Sequence, residues 1–412
     1  MYLDLKRSNL ALNGGQPVRT APWLDNFTTG DEEKDAVIRV LDSGYLSKFE
    51  GSHTPDPPFS FYGGPEVQGL EREWSEYYGC KHSISVNSAT SGLYAAIGAI
   101  GVGYGDEVIV SPYTMTACAM APLLFGAIPV FSDVEKETGC MDVKSIERAL
   151  SNRTKAILVV HQFGIPADMD KIMELAKQHD LKVIEDCAQA HGAKYNNKYV
   201  GTFGAIGVFS LNVNKSIQTG EGGICITDDE ELAYRLALIR NHGEAVVGPA
   251  KYENVVNIFG FNFRLTELQA AIAREQLKKI NKLNDHRLDL VEAFSRGLDN
   301  HPFLHPLSGR PGCYSTYYVY PLRYESGIAR VEREEFVAAL NAEGALFYQG
   351  YVEPLYLQPL YQQQSLFKHS YPFSAPENRG HTARYEKGTC SVAELLHQKT
   401  MIINEHIRFP HK

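Results

Sequence analysis

The chain has 412 residues, of which 44% are hydrophobic and 22% charged, and its formal net charge is −9. That length exceeds what one core usually holds, so two domains are expected, and the composition is that of a globular protein. The negative charge, with no block of Lys or Arg, argues against nucleic acid or an anionic membrane as the main partner.

The opening MYLDLKRSNL carries charges where a signal peptide needs an apolar stretch. The apolar run near Thr116–Phe131 is interrupted by Pro122 and Pro129. It is too short to span a bilayer, and a cytoplasmic location is expected.

Residues 1–30 read as a turn-rich arm, including LALNGGQPVRTAPW. Asp31–Leu41 is expected to be a helix with Val37, Val40 and Leu41 on one face, ended by Ser43-Gly44. Lys48–Gly64, with three prolines, is a loop whose Phe59, Phe61 and Tyr62 either face a substrate or pack on themselves. Gly64-Pro-Glu-Val67 opens a second helix, with Val67, Leu70, Trp74 and Tyr77 at core spacing.

Ile84–Val86 is read as a strand, followed by Asn87-Ser-Ala-Thr-Ser-Gly-Leu93 and a helix. A strand, a turn of small residues and a helix present free N–H groups and a helix dipole to an anion. Ala89 and Thr90 are the candidates, although Thr90 also suits a helix cap. Gly101-Val-Gly-Tyr-Gly-Asp106 imitates a dinucleotide fingerprint, but the strand Glu107–Val110 follows it where that motif needs a helix. Ala156–Val160 is a further strand, running into His161. Seven scattered cysteines without C-x-x-C, and fourteen histidines without H-E-x-x-H, predict reduced thiols and no metal site.

The stretch from Leu181 to Thr227 organises the rest. Lys182–Glu185 reads as a buried strand delivering Asp186 at its carboxyl end. Val208–Leu211 carries Ser210 toward a polar loop that holds Lys215, and Ile224–Thr227 is a third strand. Strand carboxyl ends are where open α/β sheets bind ligands. Pyridoxal phosphate (PLP) needs a Schiff-base lysine, an acid at its pyridine nitrogen and phosphate ligands. Taken singly, an Asp, Ser or Lys of this kind is a solvated loop residue.

In combination, Glu185-Asp-Cys-Ala-Gln-Ala-His-Gly192, Phe209-Ser-Leu-Asn-Val-Asn-Lys215 and Thr219-Gly-Glu-Gly-Gly223 resemble the DegT/DnrJ/EryC1/StrS sugar aminotransferases. The resemblance runs over nearly the whole chain. It implies an α/β fold-type I PLP-dependent transferase, with a large mostly parallel sheet flanked by helices and a smaller α+β C-terminal domain. The expected division is 1–30 arm, 31–275 PLP-binding domain and 276–412 small domain. The roles implied are Lys215 and Asp186 as catalytic, Gln189 on the ring's 3-hydroxyl, and Ser210, Ala89 and Thr90 on the phosphate.

Met115 stands where the family usually places an aromatic on the ring, with Tyr113 an alternative. Asn262, in Gly260-Phe-Asn-Phe-Arg264, matches an asparagine that reaches the phosphate of the neighbouring subunit, which implies a homodimer with shared sites. Thr266 and Gln269 suit a capping box. Val319–Leu322 is a strand, Arg333–Leu340 a helix, and Tyr356 stands where histidine is common. Gln362–Lys387 is irregular and is placed over the site. The family usually continues past the segment matching Arg408-Phe-Pro410.

The implied reaction moves an amino group from glutamate or glutamine to a keto- or aldehyde-sugar, whether nucleotide-linked sugar, keto-inositol or octulosonic-acid aldehyde. A PLP- or PMP-dependent dehydratase is an alternative, but those relatives replace the lysine with histidine. A non-catalytic PLP-binding regulatory protein is another. A nicotinamide-dependent oxidoreductase lacks its fingerprint.

Overall fold

The computed structural model describes residues 3–23, 27–52 and 59–404. The helices are α1 (Asp31–Ser43), α2 (Pro65–Tyr78), α3 (Ala89–Ala99), α4 (Ala117–Leu124), α5 (Val143–Ala149), α6 (Met169–Gln178), α7 (Glu230–Arg240), α8 (Glu267–Gly297) and α9 (Arg333–Ala342). The main sheet is built from β1 (His82–Val86), β2 (Glu107–Val110), β3 (Ile128–Phe131), β4 (Thr154–Val160), β5 (Lys182–Asp186), β6 (Ile206–Ser210) and β7 (Gly223–Thr227). Its seven strands lie in the order β1-β7-β6-β5-β4-β2-β3.

Strands β3, β2, β4, β5 and β6 are parallel, and β7 runs antiparallel to both β6 and β1. The parallel strands read as unbroken apolar runs because helices cover both faces. Register pairs Asp186 with Val208 and Ser210 with Gly223, so the acid and the hydroxyl emerge at one end of the sheet.

A second, antiparallel sheet is made of β8 (Leu304–Pro306), β9 (Tyr320–Tyr324), β10 (Phe347–Gln349) and β11 (Met401–Asn404), in the order β8-β9-β11-β10. The 31-residue α8 leads toward it from the large sheet. The Thr266–Gln269 capping box starts α8 as expected.

Packing corrects two helix faces. α1 buries Glu33, Ala36 and Val40, while Leu41 is exposed. The reason is α8, which offers Ala271 to Ala36 and Val40 and sets Lys279 Nζ 2.7 Å from the Glu33 carboxylate. On α2, Tyr78 is buried where Tyr77 was expected. Tyr78 stacks on Trp74 at 5.4 Å and meets Phe209 at 4.5 Å. Trp74 is fully buried, and truncating such a ring costs about 3–5 kcal/mol.

In the loop before α2, Phe61 is buried in the main core with Tyr62 edge-on to it at 5.2 Å, and Phe59 packs edge-on against Tyr45 at 5.9 Å. Residues 53–58 of that loop, like Arg408-Phe-Pro410, lie outside the described residues. The arm binds its own chain: Ala11 and Val18 N–H donate to the Glu343 carboxylate, and Trp23 Nε1–H donates to the Gly344 carbonyl.

Within Gln362–Lys387, residues 377–382 are held at the opposite end of the sheet from the strand carboxyl ends. Asn378 Nδ2 donates to the Gly126 carbonyl and its Oδ1 accepts from Gly105 N–H. Thr382 N–H and Oγ1–H both donate to the buried Glu107 carboxylate, at 2.6 and 2.9 Å. Arg153 donates to the carbonyls of Glu377 and Arg379. All these partners lie at the amino ends of β2, β3 and β4. The segment straps the C-terminal region to the far side of the sheet, because Glu107 needs donors there.

Candidate active site

Asp186 ends β5 and is buried. Its Oδ1 accepts from Ala188 N–H at 2.9 Å, and its Oδ2 accepts from the Cys118 thiol at 3.1 Å. Burial and the neighbouring Asp186 push the Cys118 thiol well above its ordinary range, which keeps it a donor. The acid is therefore held at a fixed angle by a backbone amide and a thiol.

Ser210 ends β6, and its Oγ accepts from Asn212 N–H at 3.3 Å. Its own hydrogen remains to donate to an anion. Opposite it lies Gly223. A Cβ at Gly223 would stand 2.7 Å from the Ala89 amide nitrogen and 2.9 Å from the Phe209 carbonyl, so the start of α3 can approach only because residue 223 is glycine.

Ala89 and Thr90 are the first two residues of α3, before its first intrahelical bond, so their N–H groups point out of the helix. The cap is Ser88, whose Oγ accepts from Ser91 N–H at 3.1 Å, and not Thr90. Two helix-terminal amides, a serine hydroxyl and a glycine cradle fit a phosphate.

Lys215 is half-buried after a turn in which its own N–H donates to the Asn212 carbonyl at 2.9 Å. Its Nζ lies 4.4 Å from the centre of the Tyr318 ring. Behind it, His191 is fully buried against Phe209 and Trp74. Desolvation, and then the charge of Lys215, pull the His191 pKa down to about 3, so this imidazole is neutral.

Gln189 is buried with both ends engaged. Its Oε1 accepts from Phe163 N–H at 2.7 Å, and its Nε2 donates to the Tyr351 hydroxyl at 2.9 Å. The second Nε2 hydrogen is left for a ligand. Met115 is 55% exposed, whereas Tyr113 is buried edge-on to Tyr351. Asn262 is exposed, and its carbonyl lies 3.4 Å from Asn87 Nδ2, beside the α3 turn of its own chain.

His161, Glu185 and Cys187 bring three ligand-type atoms within 4.8 Å of one another. Most are already used. His161 Nδ1 accepts from Ala167 N–H, so Nε2 donates to Glu185 Oε2 at 3.0 Å. The Glu185 oxygens also accept from the amides of Gly201, Phe203 and Gly204. This cluster braces a turn beneath the site.

Three contacts escaped the reading of the sequence: the Cys118 thiol on Asp186, Tyr351 on Gln189 and Tyr318 on Lys215. Only the aromatic run Tyr314–Tyr320 gave a visible signal, and nothing local tied it to the lysine. A cavity of about 760 Å³, lined by residues including Glu71, Ser83 and Arg240, lies against edge strand β1 and holds none of these side chains.

The model of the DegT/DnrJ/EryC1/StrS aminotransferase family matches residues 59–377. L-glutamine:2-deoxy-scyllo-inosose aminotransferase of Streptomyces kanamyceticus is 33% identical over 377 residues, which cover 88% of this chain and 85% of the relative. Spore coat polysaccharide biosynthesis protein SpsC of Bacillus subtilis is 33% identical over 346 residues, 82% of this chain and 85% of the relative. The X-ray structure of an aminotransferase from Psychrobacter cryohalolentis superimposes with a TM-score of 0.77 at 29% identity, covering 95% of each chain.

Proposed function

This chain belongs to the DegT/DnrJ/EryC1/StrS aminotransferase family and is a sugar aminotransferase; from that premise we propose that it carries PLP on Lys215 and moves the α-amino group of glutamine or glutamate to a carbonyl on a polyhydroxylated ring, sugar or cyclitol. The observation that supports it most is the convergence of Asp186, Ser210, Lys215 and the α3 amides at one end of the sheet.

Bound PLP supplies an electron sink for charge developing at the donor's Cα. The residues do the rest. Asp186, fixed by Ala188 N–H and the Cys118 thiol, holds a proton at the ring nitrogen by its charge. Ser210 and the amides of Ala89 and Thr90 anchor the phosphate. The remaining Gln189 hydrogen meets the ring's 3-oxygen, and Met115 covers the ring face. Lys215, which would hold the cofactor, would as the free amine remove the Cα proton as base and return it as acid. The same residues run the steps in reverse on the acceptor. The reading includes a homodimer in which Asn262 reaches the neighbouring phosphate. Among the described residues, no helix is long and apolar enough to cross a membrane.

The test is nitrogen transfer. The PLP-loaded protein is given α-15N-glutamine or α-15N-glutamate with a panel of nucleotide-linked keto-hexoses and keto-cyclitols, and products are read by mass spectrometry. The expected result is a 15N-amine on one class of acceptor, absent with Lys215→Ala. No labelled product from any keto-sugar or keto-cyclitol would contradict the proposal.

A further inference from the structure

We propose that Tyr318, from the C-terminal region, is the berth of the Lys215 amine: when the lysine is not covalently engaged and carries a proton, the ring face holds the ammonium. The inference rests on the reading of Lys215 as the cofactor lysine. It adds a positioning residue that acts through that lysine.

The first observation is the contact itself, Nζ 4.4 Å from the ring centre, well inside the range at which a ring quadrupole attracts a cation. The second is the rigidity of the ring's support. Tyr318 N–H donates to the Phe163 carbonyl at 2.8 Å, and Thr316 N–H donates to the Gly164 carbonyl at 2.9 Å. Arg287 on α8, itself buried, donates to the Thr316 carbonyl at 3.3 Å. Tyr317 between them has φ +46°, and Phe163 has φ +59°. Left-handed conformations at bulky residues are costly and persist only where the surroundings impose them. Gly164 has no room for a side chain, since a Cβ there would lie 2.6 Å from the Tyr317 nitrogen.

The same turn ties the berth to the cofactor side of the site. Phe163 N–H donates to Gln189, and Gln189 donates to Tyr351, whose ring meets Phe163 at 5.1 Å. Two strained turns therefore hold a ring from the bend before β9 against a loop lysine. In the proposed reaction Lys215 must take up a proton and give it back within the site. A ring face that stabilises the ammonium within one side chain's reach keeps that amine from wandering into solvent.

Lys215 Nζ faces the Tyr318 ring, and the charge of Lys215 acts in turn on His191. Arg287 acts on His191, while Asp186 and Tyr318 act on Tyr351. The variants below change Tyr318 alone, and comparing Leu with Phe separates the ring from the hydroxyl.

The experiment measures the rate at which an amine-reactive reagent labels Lys215 in the full-length, PLP-free protein as a function of pH, with mass spectrometry to locate the label. With Tyr318→Leu the protonation constant of Lys215 is expected to fall by about two- to thirty-fold, so labelling shifts to lower pH. With Tyr318→Phe, which keeps the ring, the wild-type profile is expected. Tyr318→Met removes the ring with a flexible side chain and repeats the test should the Leu variant not fold.

An unchanged profile in the folded Leu or Met variant overturns the proposal. So does a Phe variant that shifts as far as Leu, since the hydroxyl would then be the active group. Labelling needs no cofactor. A normal shift in a protein whose Lys215 never binds PLP would overturn the reading of the reaction and leave the berth standing.

Discussion

The two sides of the site are held by different means. On the large sheet, Asp186, Ser210 and the lysine loop follow directly from strand ends, and each has a hydrogen bond to a neighbour within three residues, with Cys118, 68 positions away, added on Asp186. On the C-terminal side, Tyr318 and Tyr351 are placed by bonds to residues more than 150 positions away. The strap residue Thr382 reaches Glu107, 275 positions distant. Chemistry sits where the backbone fixes it locally, and the cover is fixed by tertiary contacts. Damage should therefore separate: the first side should lose activity and keep its fold, and the second should lose stability first.

The largest expected effect lies on the strand-end side. Lys215→Ala removes the nucleophile and the acid–base group together, and turnover should fall by about a thousand-fold or more. The melting temperature should stay near wild type, measured beside the steady-state rate. A parallel loss of stability would break the comparison.

Next comes the strap. Glu107→Ala leaves Thr382 N–H, Thr382 Oγ1–H and Ser151 Oγ–H without their buried acceptor. A loss of about 3 kcal/mol in urea unfolding is expected, with unchanged activity per folded molecule. A drop in turnover without a drop in stability would show that the strap acts on the site.

His191 sharpens the contrast through pH. Its native pKa is about 3, against an ordinary value of 6.5. As pH falls below about 6.5 the unfolded chain takes up a proton that the native chain refuses until about pH 3. Its contribution is complete above that window and is lost as pH falls through it, by about 2 kcal/mol at pH 5. Comparing urea midpoints at pH 7 and pH 5, His191→Phe should lack that part of the acid sensitivity.

The smallest effect is at the phosphate turn. Ser88→Ala removes the α3 cap and should cost about 1 kcal/mol. PLP affinity, followed by fluorescence titration, should weaken modestly as the Ala89 and Thr90 amides fray.

The same division explains what could be read before the fold was known. β2 was placed to the residue, and β5, β6 and β7 to within two, because short apolar runs between turn signals leave little choice. Asp186, Ser210 and Lys215 fall at strand ends for that reason. The cap was misplaced by two residues, since Ser88 and Thr90 both suit it chemically and only the start of α3 decides. Leu41 was placed inward by periodicity, but Lys279 draws Glu33 in and turns the stripe. Gln362–Lys387 was placed over the site because nothing local shows that Glu107 waits at the opposite end of the sheet. Nothing local marks Cys118 or Tyr318 in the sequence, and only long-range packing gives them a charged partner.

The central claim is that Lys215 carries the cofactor and an amino donor discharges it. The direct measurement is the absorption spectrum of the protein reconstituted with PLP, before and after glutamine or glutamate, for wild type and Lys215→Ala. The account predicts a visible band of lysine-bound cofactor in wild type only, replaced on adding donor by the shorter-wavelength absorption of the aminated cofactor. A band that does not require Lys215, or one that neither donor changes, would contradict it.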